Sequence, residues 1–138
     1  MKTLVLLIGV VLIGTITVSG QNYIGMSQAE IISTYGNPDE IGDNYIVYTD
    51  QREDGTNAYY FDKNKNCITF VLVRTTSYYN AYKEMLEDQF TKTAAANTYV
   101  RKTKNVTFMA ELIQSAKEMQ LRIQKLNVNS NIVSSVEN

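Results

Sequence analysis

The chain has 138 residues, 13 of them basic and 14 acidic, for a net charge of −1. That balance offers no bulk attraction to nucleic acid or to an anionic membrane surface. There is no histidine, which excludes Ser-His and Cys-His nucleophile pairs and histidine metal ligands, and with them zinc hydrolases of the usual kind.

The chain opens with a charged start, Met1-Lys2-Thr3, an apolar run from Leu4 to Ile13, and small residues at Val18-Ser19-Gly20. This is the pattern of a signal peptide cut before Gln21. A spanning helix needs roughly 20 apolar residues, more than Leu4 to Val18 supplies, and Thr15 and Thr17 interrupt its end. A lipid anchor would require cysteine at the cut, and the single Cys67 lies far downstream. The chain therefore reads as exported, periplasmic or secreted, with no membrane span after cleavage and one α+β domain over residues 21–126. A lone cysteine cannot make an internal disulfide. Cys67 reads as a small buried hydrophobe, with a bond between chains as the alternative.

Residues 23–40 read as loop, helix and turn. Ser27 caps the helix and Glu30 completes a capping box. Met26, Ala29, Ile31, Ile32 and Tyr35 form its apolar stripe, Gly36 suits its left-handed end, and Pro38 stops it. Strands follow at 44–49, 58–62 and 67–74, separated by the polar turns 50–55 and 63–66. The last has apolar residues at both parities, the mark of a central strand. Residues 77–92 read as a second amphipathic helix capped by Ser77, with Tyr78, Tyr82, Met85, Leu86 and Phe90 on its apolar side. A strand at 97–101 comes next.

Residues 106–126 fit two periodicities. As a helix, Met109, Leu112, Ile113, Ala116, Met119, Ile123 and Leu126 form a stripe. As a hairpin turning near Ser115 to Glu118, Phe108, Ala110 and Leu112 alternate, as do Met119, Leu121 and Ile123. The hairpin is preferred, and residues 127–138 read as a frayed polar tail. The order is then α-β-β-β twice, which one antiparallel sheet with both helices on one face would satisfy.

The segment Gly25-Met26-Ser27-Gln28-Ala29-Glu30-Ile31, followed by Tyr35-Gly36-Asn37-Pro38-Asp39, resembles the opening of small exported bacterial domains of the SmpA/OmlA type and of β-lactamase-inhibitor-like repeats. The resemblance covers residues 25–39 and the strand order to residue 74, and it implies a meander after the first helix and a repeat of the unit. SmpA/OmlA proteins are lipoproteins of the outer-membrane assembly machinery. The missing cysteine at the cleavage site argues against carrying that role over.

Asp62-Lys63-Asn64-Lys65-Asn66 matches the start of a calcium loop, but Cys67 stands where glycine is needed and Val73 where the bidentate glutamate would fall. An ordinary hairpin turn is the better reading. Asp50, Glu53 and Asp54 share one hydrophilic turn and read as solvated, without a catalytic pair. Asn105-Val106-Thr107 fits a glycosylation acceptor and reads as chance in a bacterial protein. No motif calls for a cofactor or a metal. Of the ten tyrosines, Tyr45, Tyr48, Tyr59, Tyr60, Tyr78, Tyr79 and Tyr82 are the best functional candidates. Filling a sheet–helix core is the preferred reading of these rings, and Tyr45, Tyr48, Tyr59 and Tyr60 are the candidates for a binding surface; Tyr59 and Tyr60, adjacent on a strand, must face opposite sides, so one of them should be exposed. These features suggest a non-enzymatic binding domain engaging a protein or cell-envelope component. A proteinaceous inhibitor of a hydrolase is the first alternative, and a hydrolase using Asp50 and Asp54 the last.

Overall fold

A computed structural model describes residues 23–126; the expected signal peptide and the 127–138 tail lie outside the described residues. The first helix, α1, spans Gln28–Tyr35. Ser27 Oγ accepts the Glu30 amide at 3.1 Å and Glu30 Oε2 accepts the Ser27 amide at 3.1 Å, so the capping box satisfies two otherwise orphan donors. Gly36, at φ 85°, closes the helix by donating to the Ile32 carbonyl at 2.8 Å.

Four strands follow: β1 (Glu40–Ile41), β2 (Tyr45–Asp50), β3 (Gly55–Phe61) and β4 (Cys67–Thr75). A 3-10 turn at Thr76–Tyr78 leads into α2 (Tyr79–Gln89), and then β5 (Thr91–Lys92), β6 (Thr98–Lys102), β7 (Thr107–Gln114) and β8 (Glu118–Leu126) complete the described chain. All eight strands form one antiparallel sheet in the order β1-β2-β3-β4-β8-β7-β6-β5. That order is palindromic about the β4–β8 contact. Each half is a helix, a two-residue edge strand and a three-stranded meander, so the twofold α-β-β-β organisation is present in the fold. Residues 106–126 are the hairpin: Ser115 accepts the Glu118 amide on its hydroxyl at 3.2 Å and donates its own amide to the Glu118 carbonyl at 2.8 Å. A serine turn of this kind needs neither glycine nor proline.

Because side chains alternate, register decides which face each residue meets. Ile46, Tyr59, Phe70, Ile123, Ala110 and Tyr99 stand in one row across the sheet. With Ile31 of α1 and Leu86 of α2 they belong to one buried cluster. Both helices therefore cover the same face. β4 is central, paired on both sides, as its apolar composition indicates.

Some details differ from the sequence reading. Ser77 does not cap α2; its hydroxyl meets Thr75 Oγ1 at 2.8 Å and helps shape the 3-10 turn. β3 starts at Gly55 rather than Ala58, because Thr56 and Asn57 pair with Val73 and Leu72 despite their polarity. Cys67 is free and buried, its thiol pushed up to about 11 by desolvation.

Candidate functional site: a tyrosine-lined groove between the helices

Register splits the four sequence-selected tyrosines into two pairs. Tyr45 and Tyr60 are directly opposed on β2 and β3, on the face away from the helices, with ring centroids 5.9 Å apart. Tyr60 is 38% exposed, and Tyr45 donates to Glu40 Oε1 at 2.7 Å. Tyr48 and Tyr59 have the opposite parity and stand on the helix face. Tyr59 is buried in the core cluster, whereas Tyr48 is half-buried against it and donates to the Gly36 carbonyl at 2.8 Å.

On that helix face lies a groove of about 810 Å³. Tyr48, Tyr59, Phe70 and Leu72 of the sheet line it, together with Tyr23 and Tyr35 from either end of the α1 segment and Tyr82 from α2. Four of these rings form a closed circuit. Tyr23 to Tyr35 is 5.7 Å at 71°, Tyr35 to Tyr48 is 6.2 Å at 67°, Tyr48 to Tyr59 is 5.9 Å at 88°, and Tyr59 to Tyr23 is 5.2 Å at 88°. Edge-to-face pairs of this kind set the positive rim of one ring against the negative face of the next. The Tyr35 hydroxyl donates to that of Tyr23 at 2.7 Å. Desolvation, then the neighbouring phenols, raises the pKa of Tyr59 and of Tyr35 far above the ordinary value. Tyr82 is pushed up to about 12, mainly by burial and then by the Glu53 carboxylate. These three hydroxyls therefore stay neutral at physiological pH.

The end of the groove is built on Arg74, 2% exposed and on the same strand face as Phe70 and Leu72. All five of its N–H donors are used. Nε donates to Glu53 Oε2 at 2.7 Å, Nη1 to the carbonyls of Thr56 at 3.1 Å and Val73 at 2.8 Å, and Nη2 to Asn57 Oδ1 at 2.9 Å and Asp50 Oδ2 at 3.3 Å. The rigid guanidinium fork suits such convergent acceptors. Tyr82 also donates to Glu53 Oε2, at 3.2 Å. Gly55 makes room for the fork, since a Cβ there would strike the Val73 carbonyl and the Arg74 side chain.

This corrects the reading of the 50–55 turn as a wholly solvated loop. Asp50 and Glu53 turn inward onto Arg74, while Asp54 stays exposed at φ 50°. The signal was available: an arginine in parity with Phe70 and Leu72, a glycine on the neighbouring strand, and an acidic turn before it. Asp62, by contrast, forms the expected hairpin turn, its Oδ1 accepting the amides of Asn64 at 2.9 Å and Asn66 at 3.0 Å. Among the described residues no group of three or more His, Cys, Asp or Glu side chains could hold a metal ion. Among them, too, no helix is long and apolar enough to cross a membrane.

No protein-family model and no curated protein matches the chain. Among solved structures, it is similar to the crystal structure of a DUF4309 family protein (YjgB) from Bacillus subtilis subsp. subtilis str. 168, with a TM-score of 0.49 and 12% identity, over 72% of this chain and 78% of that one.

Proposed function

We propose that this chain is an exported, non-enzymatic binding domain, and that its ligand sits in the groove between the two helices. The observation that carries this is the circuit of four tyrosine rings lining a cavity of about 810 Å³, closed at one end by the Arg74 cluster. Cavities of this size with aromatic walls and a few fixed polar groups are the usual form of a ligand site. The two carboxylates in the groove come from one turn and both spend oxygens on Arg74. That arrangement supports a fixed electrostatic wall rather than an acid–base pair.

The test is a screen of the purified protein against small organic cations, neutral oligosaccharides and short peptides, read by intrinsic emission. With no tryptophan in the chain, that emission reports on tyrosine alone. A ligand response lost in Tyr48→Leu and retained in Tyr60→Leu supports the groove. The reverse pattern would move the site to the far face.

That far face carries the second reading, a macromolecular contact across the sheet, including inhibition of a hydrolase. It is favoured by the adjacent Tyr45 and Tyr60 and by exposed Ile113, since aromatic residues are enriched in contact surfaces. Saturable loss of a target hydrolase's activity, abolished by Tyr60→Ala, would establish it.

A further inference from the structure

We infer that the β5–β6 edge of the sheet, with the turn that follows β6, docks a linear polyanion, a chain of phosphate groups held by Lys92, Arg101, Lys102, Lys104 and Lys125. This surface lies apart from the groove and does not depend on it.

The near-zero net charge hides a sorted distribution. Residues 23–62 hold eight acids and one base, and residues 63–126 hold eleven bases and five acids. The sheet order puts β1 to β3 on one side and β5 to β8 on the other. The asymmetry in sequence is therefore one in space, the pattern that points to a charged partner. The two sides also use their charges differently. Six of the eight carboxylates in residues 23–62 accept hydrogen bonds within the chain: Glu30 caps α1, Asp39 takes the Thr49 amide, Glu40 the Tyr45 hydroxyl, Asp62 two turn amides, and Asp50 and Glu53 hold Arg74. On the basic side, Lys92, Arg101, Lys104 and Lys125 make no side-chain hydrogen bond or ion pair among the described residues.

From Gln89 to Ala110 the chain has four bases and no acid, and register adds a fifth base to them. Lys125, Phe108 and Arg101 stand in one row across β8, β7 and β6, so the backbones of the two cations are about 10 Å apart. Lys92 pairs with Tyr99, two residues before Arg101, on the same face. Lys104 is exposed in the 103–106 turn, and Lys102 has the opposite parity to Arg101. Where β6 runs past β5, a hollow of about 450 Å³ is lined by Arg101 and Lys102 with Gln89 and Thr91. Glu87 and Asp88 at the end of α2, and Asp62 in the hollow beside Lys125, approach this edge. Glu111 on β7 has Arg122 directly opposite it. The five cations keep a surplus of two over the three approaching acids. They are spread over two faces, an edge and a turn, so a single phosphate meets one or two of them and a chain of phosphates meets more, each through charge-assisted bonds. A flat lipid surface would ask for cations and apolar anchors in one plane, and none of the exposed large hydrophobics among the described residues lies on β5, β6 or the 103–106 turn.

The experiment is calorimetric titration of the purified protein with long-chain inorganic polyphosphate and with orthophosphate, repeated across a range of salt. The polymer should bind and orthophosphate should give no measurable heat. Log affinity should fall linearly with log salt, and each cation removed should lower that slope by about 0.7, the value for a flexible charged strand. The double variant Arg101→Gln/Lys104→Gln should weaken polymer binding about tenfold and leave thermal unfolding unchanged. Lys117→Gln, in the turn at the other end of β7, should leave binding nearly unchanged. Absence of polymer binding at low salt would overturn the inference, as would an equal loss in Lys117→Gln and in the double variant. Binding to phosphatidylglycerol vesicles without binding to polyphosphate would overturn it in favour of a membrane contact. Salt-sensitive self-association lost in the double variant, without polymer binding, would overturn it and assign the edge to a second copy of this chain. Each of these outcomes leaves the groove reading standing.

Discussion

Replacing Arg74 by methionine keeps an unbranched apolar stem in the core and removes the guanidinium fork. Five hydrogen bonds disappear: two to main-chain carbonyls, one to Asn57, and two to carboxylates. Neutral bonds contribute about 0.5–1.5 kcal/mol each. The carboxylate bonds are discounted toward the same range, because Glu53 is 41% and Asp50 22% exposed and both can regain water. Relief of the buried charge's own desolvation offsets part of the loss. The net is a destabilisation of about 2–3 kcal/mol, which for a domain of this size lowers Tm by roughly 10–20 °C. Thermal unfolding followed by far-ultraviolet circular dichroism measures it. Arg74→Lys keeps the charge but cannot reproduce the fork, so it should recover less than half of the deficit. A methionine variant melting within about 2 °C of the parent would show that the cluster does not hold the 50–55 turn to the sheet.

Other consequences are independent of that cluster or adjoin it. Gly55→Ala places a methyl against the Val73 carbonyl, and a destabilisation of about 1–3 kcal/mol in urea unfolding is expected. Ser27→Ala removes the α1 cap and should cost about 1 kcal/mol, with Ser27→Asp recovering most of it. Burial raises the Cys67 thiol from its ordinary 9.0 to about 11 and the Tyr82 hydroxyl from 10.0 to about 12. The unfolded chain thus releases these protons first. Their contribution is complete below pH 9 and is lost as pH rises through 11 and 12. Urea midpoints measured from pH 8 to 12 should fall across that window, and a flat profile would contradict the burial. Cys67 should also resist alkylation at neutral pH until the chain is denatured.

Local rules made much of the fold legible. Ser27, Glu30 and Gly36 each act within one helical turn, and all three do what their residue types suggest. β4 showed its central position by apolar residues at both parities. The 106–126 segment was ambiguous because its apolar spacing serves periods of 2 and 3.6 alike, and the turn that decides it is made by a serine hydroxyl. Strand parity correctly separated Tyr59 from Tyr60. It could not by itself say which of the two faced the helices, and that choice puts Tyr48 beside Tyr59 in the groove and Tyr45 beside Tyr60 outside it. Tyr23 and Tyr35 were not legible as site residues, since their rings meet β2 and β3 only after the α1 segment is stitched to residues 65–67 by main-chain bonds. Arg74 looked like the polar end of a strand. Its role comes from Gly55 and the 50–53 turn, which reach it through register rather than sequence proximity.

The most direct test of the groove as the ligand site is a ring-labelled tyrosine NMR spectrum of the protein with and without a ligand that the emission screen returns. Shifts confined to Tyr23, Tyr35, Tyr48, Tyr59 and Tyr82, with Tyr45 and Tyr60 unmoved, are the result predicted here. Shifts at Tyr45 and Tyr60 with the groove tyrosines unmoved would contradict it and place binding on the opposite face of the sheet.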